Sequence, residues 1–130
     1  MFFIRTDRFA VTSSDKSHRE HIWTYKREEG TNEWTLDDHL TPLHRGLVAI
    51  HGQLLVVVPH DVIPGNVLGT VYKRVGDRWV QCETLKGEPV TEDLKNQQVQ
   101  FGGDFVHSSR VSRHGYGLVY IHDLSQVIKS

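Results

Sequence analysis

Four of the nine histidines stand in close pairs, a spacing at which two imidazoles can share a divalent metal ion. His18 and His21 lie three residues apart, and His39 and His44 flank a Thr-Pro-Leu segment. Neither pair has a cysteine or a third fixed ligand beside it in the sequence. Pairs of this kind more often line solvated loops, so we predict no metal site.

His60 and Asp61 are adjacent, and an imidazole oriented by a carboxylate is the arrangement that general-base catalysis uses. Nucleophilic catalysis also needs an activated nucleophile, and no serine or cysteine in this sequence has a recognisable setting for that role. We therefore predict that the protein is not an enzyme and needs no cofactor. The pair is kept as a candidate ligand contact.

A basic and aromatic segment lies near the C-terminus, where Arg110, Arg113, His114 and a glycine-flanked Tyr116 fall within residues 110–117. Guanidinium groups bind carboxylates and phosphates in a forked, bidentate manner. This segment predicts a site for a carboxylate, a phosphate or an acidic peptide. The full set of predicted ligand-binding residues is His60, Asp61, His107, Arg110, Arg113, His114 and Tyr116.

A repeated tyrosine indicates which elements position these residues. Tyr25, Tyr72 and Tyr120 are separated by 47 and 48 residues, a period typical of repeat architectures. Each follows a hairpin-like pattern and a polar loop, and each precedes a further apolar run. The hairpins are predicted at 2–11, 48–57 and 99–106, the loops at 13–21, 59–68 and 107–117, and the last runs at 34–36, 79–85 and 126–128. The sequence therefore predicts one all-β domain of three four-stranded antiparallel repeats, about 1–43, 44–95 and 96–130.

The middle repeat carries the clearest motif. Its apolar hairpin is followed by Gly69-Thr70-Val71-Tyr72-Lys73-Arg74 and then by a strand that contains Trp79. Over residues 44–85 this pattern resembles the FG-GAP repeat, the blade unit of integrin α-chain β-propellers, and the flanking repeats resemble it more loosely. The resemblance implies propeller-like blades. It does not extend to the family's acidic calcium loop, because the corresponding turn is only His51-Gly52-Gln53.

Three blades raise a question of closure, because single-chain propellers have roughly four to eight blades. Two chains can pair into a ring of about six blades, or a different partner can complete the ring. The third solution is closure within one chain, as a β-trefoil or a three-sheeted β-prism. The sequence leaves these solutions open.

Charge and composition exclude some classes of partner. The chain has 15 basic and 16 acidic residues, so it has no field that favours nucleic acid or an anionic membrane. The apolar start Met1-Phe2-Phe3-Ile4 meets charged residues at once, so we predict no signal peptide or membrane span, and a cytoplasmic location by default. Cys82 is predicted to be a small buried apolar side chain.

Equivalent loops of blade-like repeats lie on one face, and we predict a non-enzymatic binding or assembly module that recognises a protein or an acidic ligand there. One alternative is a carbohydrate-binding, lectin-like protein. A second alternative is a structural subunit that completes a larger propeller, either by self-association as a dimer or with another protein. Trp34 and Trp79 occupy corresponding positions and are predicted to pack between repeats.

Overall fold

The computed structural model describes residues 6–28, 30–60, 65, 67–87, 95–111 and 117–129. In this part of the chain, ten strands form three antiparallel sheets, and one short helix follows the last strand. The predicted all-β class is confirmed. Among the described residues, no helix is long and apolar enough to cross a membrane.

Each sheet follows the chain from strand to strand. The first sheet contains β1 (Thr6–Ser14), β2 (Glu20–Glu28) and β3 (Thr35–Leu40). The middle sheet contains β4 (Gly46–His51), β5 (Leu54–Pro59), β6 (Val67–Val75) and β7 (Arg78–Lys86). The third sheet contains β8 (Lys95–Gly102), β9 (Phe105–Val111) and β10 (Gly117–Asp123), and α1 (Ser125–Lys129) follows it. Strand β4 contacts both β1 and β8, so the middle sheet adjoins the other two.

Glycine-containing turns of two residues join three of these strand pairs. The turns are Gly52-Gln53, Gly76-Asp77 and Gly103-Asp104, and their glycines have φ values of 59°, 62° and 64°. A glycine with positive φ at the first central position is the pattern of a type II′ turn, which matches the twist of the two strands. The hairpins predicted at 48–57 and 99–106 are thereby confirmed.

The hairpin predicted at 2–11 is wrong for the residues that the structure describes. Residues 6–14 form one continuous strand that pairs with β2 along its whole length. The polar residues read as a turn have partners instead, because Asp7 binds Arg27 and Arg8 binds Asp37. Residues 2–5 lie outside the described part of the chain.

The strand predicted at 126–128 is also wrong, since these residues belong to α1. The Asp123 carboxylate accepts a hydrogen bond from the Ser125 amide at 2.9 Å, which satisfies a donor at the start of the helix. Leu124 and Val127 are buried in the core and lie three residues apart, so they share one side of a helical turn.

The core consists of two apolar layers, one on each side of the middle sheet. Alternate residues of β5 serve both layers, because successive side chains of a strand point to opposite faces. Leu55 and Val57 pack with Ile22 and Trp79 at the junction with the first sheet. At the junction with the third sheet the buried residues are Leu54, Val56, Val58, Leu68, Val71, Leu85, Val106, Leu124 and Val127.

Tyr25, Tyr72 and Tyr120 lie in β2, β6 and β10, which belong to three different sheets. Tyr25 pairs with Phe9 of β1, Tyr72 with Leu55 of β5, and Tyr120 with Ser108 of β9. The strand pairing shifts register between Thr24 and Tyr25 in β2, and between Val71 and Tyr72 in β6. Strands β2 and β6 therefore share this irregularity at the tyrosine.

The register shift in β6 leaves Cys82 without a pairing partner on that strand, and the cysteine is exposed rather than buried as predicted. Its Sγ lies 3.4 Å from the carbonyl oxygen of Val71. Partial burial, assisted by the charge of Glu83, raises the pKa of the thiol. The sequence could not locate the bulge that turns this side chain outwards.

Candidate functional site

The structure describes three of the seven predicted ligand-binding residues. His60 is exposed just after β5, and its amide donates to the carbonyl oxygen of Arg45 at 3.1 Å. His107 and Arg110 were predicted in a loop, but both lie within β9. Arg110 is fully buried, with its guanidinium 5.6 Å from the centre of the Tyr120 ring. Its side chain therefore packs within the third sheet, and its role as a ligand contact stays a prediction.

Asp61, Arg113, His114 and Tyr116 lie outside the described residues. The acidic-ligand site in segment 110–117 accordingly stays a prediction for those positions. Of the three predicted residues that the structure describes, His60 lines a cleft.

The cleft lies between the first and middle sheets and has a volume of about 440 Å³. Proteins bind small molecules in concavities of about this size, roughly 300–1,000 Å³. One wall comes from β1 and the start of β2, and the other comes from β4 and the residues beside it. The lining residues are Ala10, Thr12, Ser13, Ser14, Glu20, Arg45, Gly46, Leu47, Val48 and His60.

Glu20 is the most unusual residue of the cleft, because it is a carboxylate at a core-facing strand position. It alternates with Ile22 and Thr24, which are both fully buried on the same face of β2. Only 7% of its side chain is exposed. Arg45 Nε lies 3.5 Å from Glu20 Oε2, whereas Oε1 is buried and has no hydrogen-bond partner among the described residues.

Gly46 allows β4 to run close to β5 at the base of the cleft. A Cβ atom at this position would lie 2.1 Å from the carbonyl oxygen of Val58. Carbon and oxygen atoms that are not bonded do not approach so closely, so a larger residue would push the two strands apart. This role could not be predicted from the sequence, because Gly46 also fits an ordinary strand start.

A second polar cluster lies on the opposite face of the first sheet. His21 Nε2 is 2.8 Å from Asp15 Oδ2, and His21 Nδ1 is 2.8 Å from His39 Nε2. His39 stacks on Trp23 with 4.1 Å between ring centres, and the two residues are direct partners in the β2–β3 register. His21 therefore pairs with His39 across the sheet and not with its sequence neighbour His18.

Asp15 also organises the loop between β1 and β2. Its Oδ1 accepts hydrogen bonds from the amides of Ser17 at 2.8 Å and Arg19 at 3.0 Å. The hydrogen bond from His21, followed by that from the Arg19 amide, lowers the pKa of the Asp15 carboxyl. The cluster has an oriented imidazole but no nucleophile, and no group of metal ligands occurs among the described residues.

A buried ionic network joins the first and middle sheets below the cleft. The side chain of Asp37 is fully buried, and its carboxylate binds Arg8 at 3.0 Å and Arg74 at 2.9 Å. Both guanidinium groups lie within 6 Å of the Trp79 ring, at 5.9 Å and 5.6 Å from its centre. The indole nitrogen of Trp79 donates to Thr24 Oγ1 at 3.0 Å. Its carboxylates and guanidinium groups form ion pairs with one another, and although Asp37 Oδ1 and Arg74 Nη1 have no hydrogen-bond partner among the described residues, we assign the network to sheet packing.

The two terminal sheets expose apolar side chains on the faces that point away from the middle sheet. We call these the first-sheet outer face, containing Phe9, Val11, Trp23, Tyr25, Trp34 and Leu36, and the third-sheet outer face, containing Phe105, Val111, Val119 and Ile121. On the first, Phe9 stacks on Tyr25 at 5.1 Å and meets the edge of Trp34 at 4.8 Å. Trp79 is buried between two sheets as predicted, whereas Trp34 is 42% exposed in the single chain and contacts Phe9 of its own sheet.

Comparison of the chain with protein-family models, with curated proteins and with solved structures gave no match.

Proposed function

We propose that the protein is a non-enzymatic assembly module whose sheets are propeller-blade-like units that stack face to face. In this proposal, the first-sheet outer face of one copy packs against the third-sheet outer face of a second copy. Two such junctions join two chains into a ring of about six sheets, a number within the range of β-propellers. The proposal combines the predicted assembly role with the predicted dimer.

The supporting observation is that side chains buried on the two faces of the middle sheet have exposed counterparts on the outer faces of the two terminal sheets. Trp79 follows β6, and it is only 8% exposed because the first sheet covers it. Trp34 follows β2 in the same way, but it is 42% exposed. Val71 is fully buried beneath the third sheet, whereas Val119, which likewise precedes the sheet's tyrosine, is 67% exposed. Monomeric proteins rarely leave contiguous apolar patches uncovered.

Charge supports a second copy as the occupant. Arg74 of the middle sheet takes a carboxylate, Asp37, from the sheet before it. The corresponding Arg27 of the first sheet is already bound by Asp7 of its own sheet at 2.6 Å, and its guanidinium lies 5.3 Å from the centre of the Trp34 ring. The first-sheet outer face therefore needs no carboxylate from its partner, and the apolar Val119 and Ile121 supply none.

Solution mass tests the proposal. We expect sedimentation velocity to give about twice the 14.9 kDa of one chain, falling to one chain in the double variant Val119→Lys, Ile121→Lys. Trp34→Lys, which changes the first-sheet outer face, should also reduce the mass to that of one chain. Mixing these two variants should restore one junction, because each contributes one intact face.

Leu43→Lys is the matched control, since Leu43 is an exposed apolar residue outside both faces. It should leave the mass unchanged. A wild-type protein that stays monomeric at all concentrations, or a dimer that survives substitutions on both faces, would overturn the proposal. A dimer with a different protein in place of the second copy would overturn the choice of partner.

A further inference from the structure

The cleft between the first and middle sheets contains an acceptor that the described part of the protein leaves unused. Glu20 is more than nine-tenths buried, it lines the cleft, and its Oε1 has no hydrogen-bond partner among the described residues. Burying a polar atom without a partner is costly, more so for a charged group. A ligand that brings a hydrogen-bond donor into the cleft would satisfy this atom.

We propose that this cleft is a binding site for an uncharged polyhydroxylated ligand, such as a sugar that presents two neighbouring hydroxyl groups. One hydroxyl donates to Glu20 Oε1, and its neighbour accepts from the guanidinium of Arg45. The site lies within a single chain, so it is independent of the assembly proposed above.

The charge of the cleft favours a neutral ligand over an ion. Glu20 and Arg45 carry opposite charges 3.5 Å apart, and together they contribute no net charge. A cation bound to Glu20 is repelled by Arg45, and an anion bound to Arg45 is repelled by Glu20. A hydroxyl group acts as both donor and acceptor, so neighbouring hydroxyls fit the pair without adding a buried charge.

The remaining walls suit the same class of ligand. Thr12 and Ser14 lie on the face of β1 that carries Ala10, and Ser14 pairs directly with Glu20, so both hydroxyl-bearing residues line the cleft on the strand next to the carboxylate. Leu47 and Val48 on the opposite wall add aliphatic surface. Hydroxyls beside a small apolar surface complement the O–H groups and the C–H face of a pyranose ring.

Amide chemical-shift titration of the full chain provides the test, with glucose, galactose and mannose as probes and myo-inositol as a polyol that lacks a ring oxygen. We expect saturable shifts at Ser14, Glu20, Leu47 and Val48 with at least one of these compounds. Binding of a sugar alone would identify sugars as the source of the hydroxyls, and binding of myo-inositol would extend the site to cyclic polyols.

Glu20→Leu should weaken binding at least tenfold, because leucine suits a buried strand position but accepts no hydrogen bond. Thr12→Val is a second, nearly isosteric variant on a more exposed position, and we expect severalfold weaker binding with the fold intact. Arg78→Ala, an exposed change outside the cleft, should leave binding unchanged.

Three results would overturn the proposal. The first is that none of the polyols produces saturable shifts. The second is tighter binding of n-butylammonium or acetate, which would make the cleft an ion site. The third is polyol binding that persists unchanged in both Glu20→Leu and Thr12→Val.

Discussion

The guanidinium of Arg74 lies 2.9 Å from the carboxylate of Asp37, and this contact ties the middle sheet to the first. Asp37 occupies the bulge between the pairs Thr24–Asp38 and Tyr25–Leu36, which places its carboxylate in the junction. Arg74 also donates through Nε to the carbonyl oxygen of Gly76 at 3.2 Å. The two sheets are thus held by a specific ionic contact as well as by apolar packing.

Arg74→Met should lower the free energy of unfolding by about 1–3 kcal/mol, because one buried oxygen of Asp37 loses its ion-pair partner while Arg8 still compensates part of the charge. Urea denaturation measures the loss. Asp37→Asn removes the carboxylate that both Arg8 and Arg74 bind, so the double variant Arg74→Met, Asp37→Asn should lose less stability than the two single variants added together. Arg78→Met, on an exposed position of β7, is the control and should change stability by less than about 0.5 kcal/mol. A purely additive double variant would contradict the pairing.

Gly46→Ala should destabilise the protein by about 1–3 kcal/mol, the usual cost of overpacking, because the new methyl group would meet the backbone oxygen of Val58. Gly102 is the matched control, since it also lies in a strand and a Cβ there would meet nothing within 4 Å. Gly102→Ala should be neutral or slightly stabilising. Thermal unfolding of both variants checks the comparison. Equal effects would show that the close approach of β4 to β5 does not influence stability.

Much of the sheet architecture could be predicted from local sequence, because its signals are local. The glycines at 52 and 103 mark two-residue turns, and the alternating apolar runs beside them mark strands. The misassigned segments depend on distant contacts. Asp7 resembles a turn residue until Arg27 is placed opposite it, and residues 126–128 resemble a strand until Val127 is placed on the core.

The candidate cleft was not predicted from the sequence. The loops that follow β1 and β5 were expected to share a binding face, and that face stays a prediction, whereas the cleft lined by Ser14, Glu20 and His60 was found only in the structure. The importance of Glu20 depends on its burial, and burial depends on the middle sheet lying over that face of β2. Arg110 shows the converse, because a residue that resembles a loop contact in the sequence is covered within the third sheet.

Stability should fall on acidification because of His122. Burial lowers the pKa of this histidine below its ordinary value of 6.5, and the nearby charge of Glu83 opposes the shift in part. Below pH 6.5 the unfolded chain gains a proton that the folded chain does not yet bind. The free energy of unfolding should therefore decrease as the pH falls from 6.5 towards the lower folded pKa, and then level off.

Urea unfolding at several pH values, compared between wild type and His122→Gln, tests this expectation. The variant should have a shallower slope below pH 6.5. His18→Asn is the control, because His18 is exposed and asparagine tolerates its φ of 61°. It should keep the wild-type slope. Identical slopes in wild type and His122→Gln would contradict a role for the buried imidazole.

Asp15 should contribute to stability at neutral pH and lose that contribution only in strong acid. Its pKa is held below the ordinary 3.8 by hydrogen bonds from His21 and from the amide of Arg19. A carboxylate with a lowered folded pKa stabilises the protein above 3.8, and the effect disappears as the pH falls through the folded value. Asp15→Asn keeps an oxygen for the loop amides but removes the charge that binds His21. Its melting temperature should lie below that of wild type at neutral pH and converge with it in acid.

Asp77→Asn, in the turn after β6, should show no such convergence, and a constant difference for Asp15→Asn at all pH values would contradict the assigned contact.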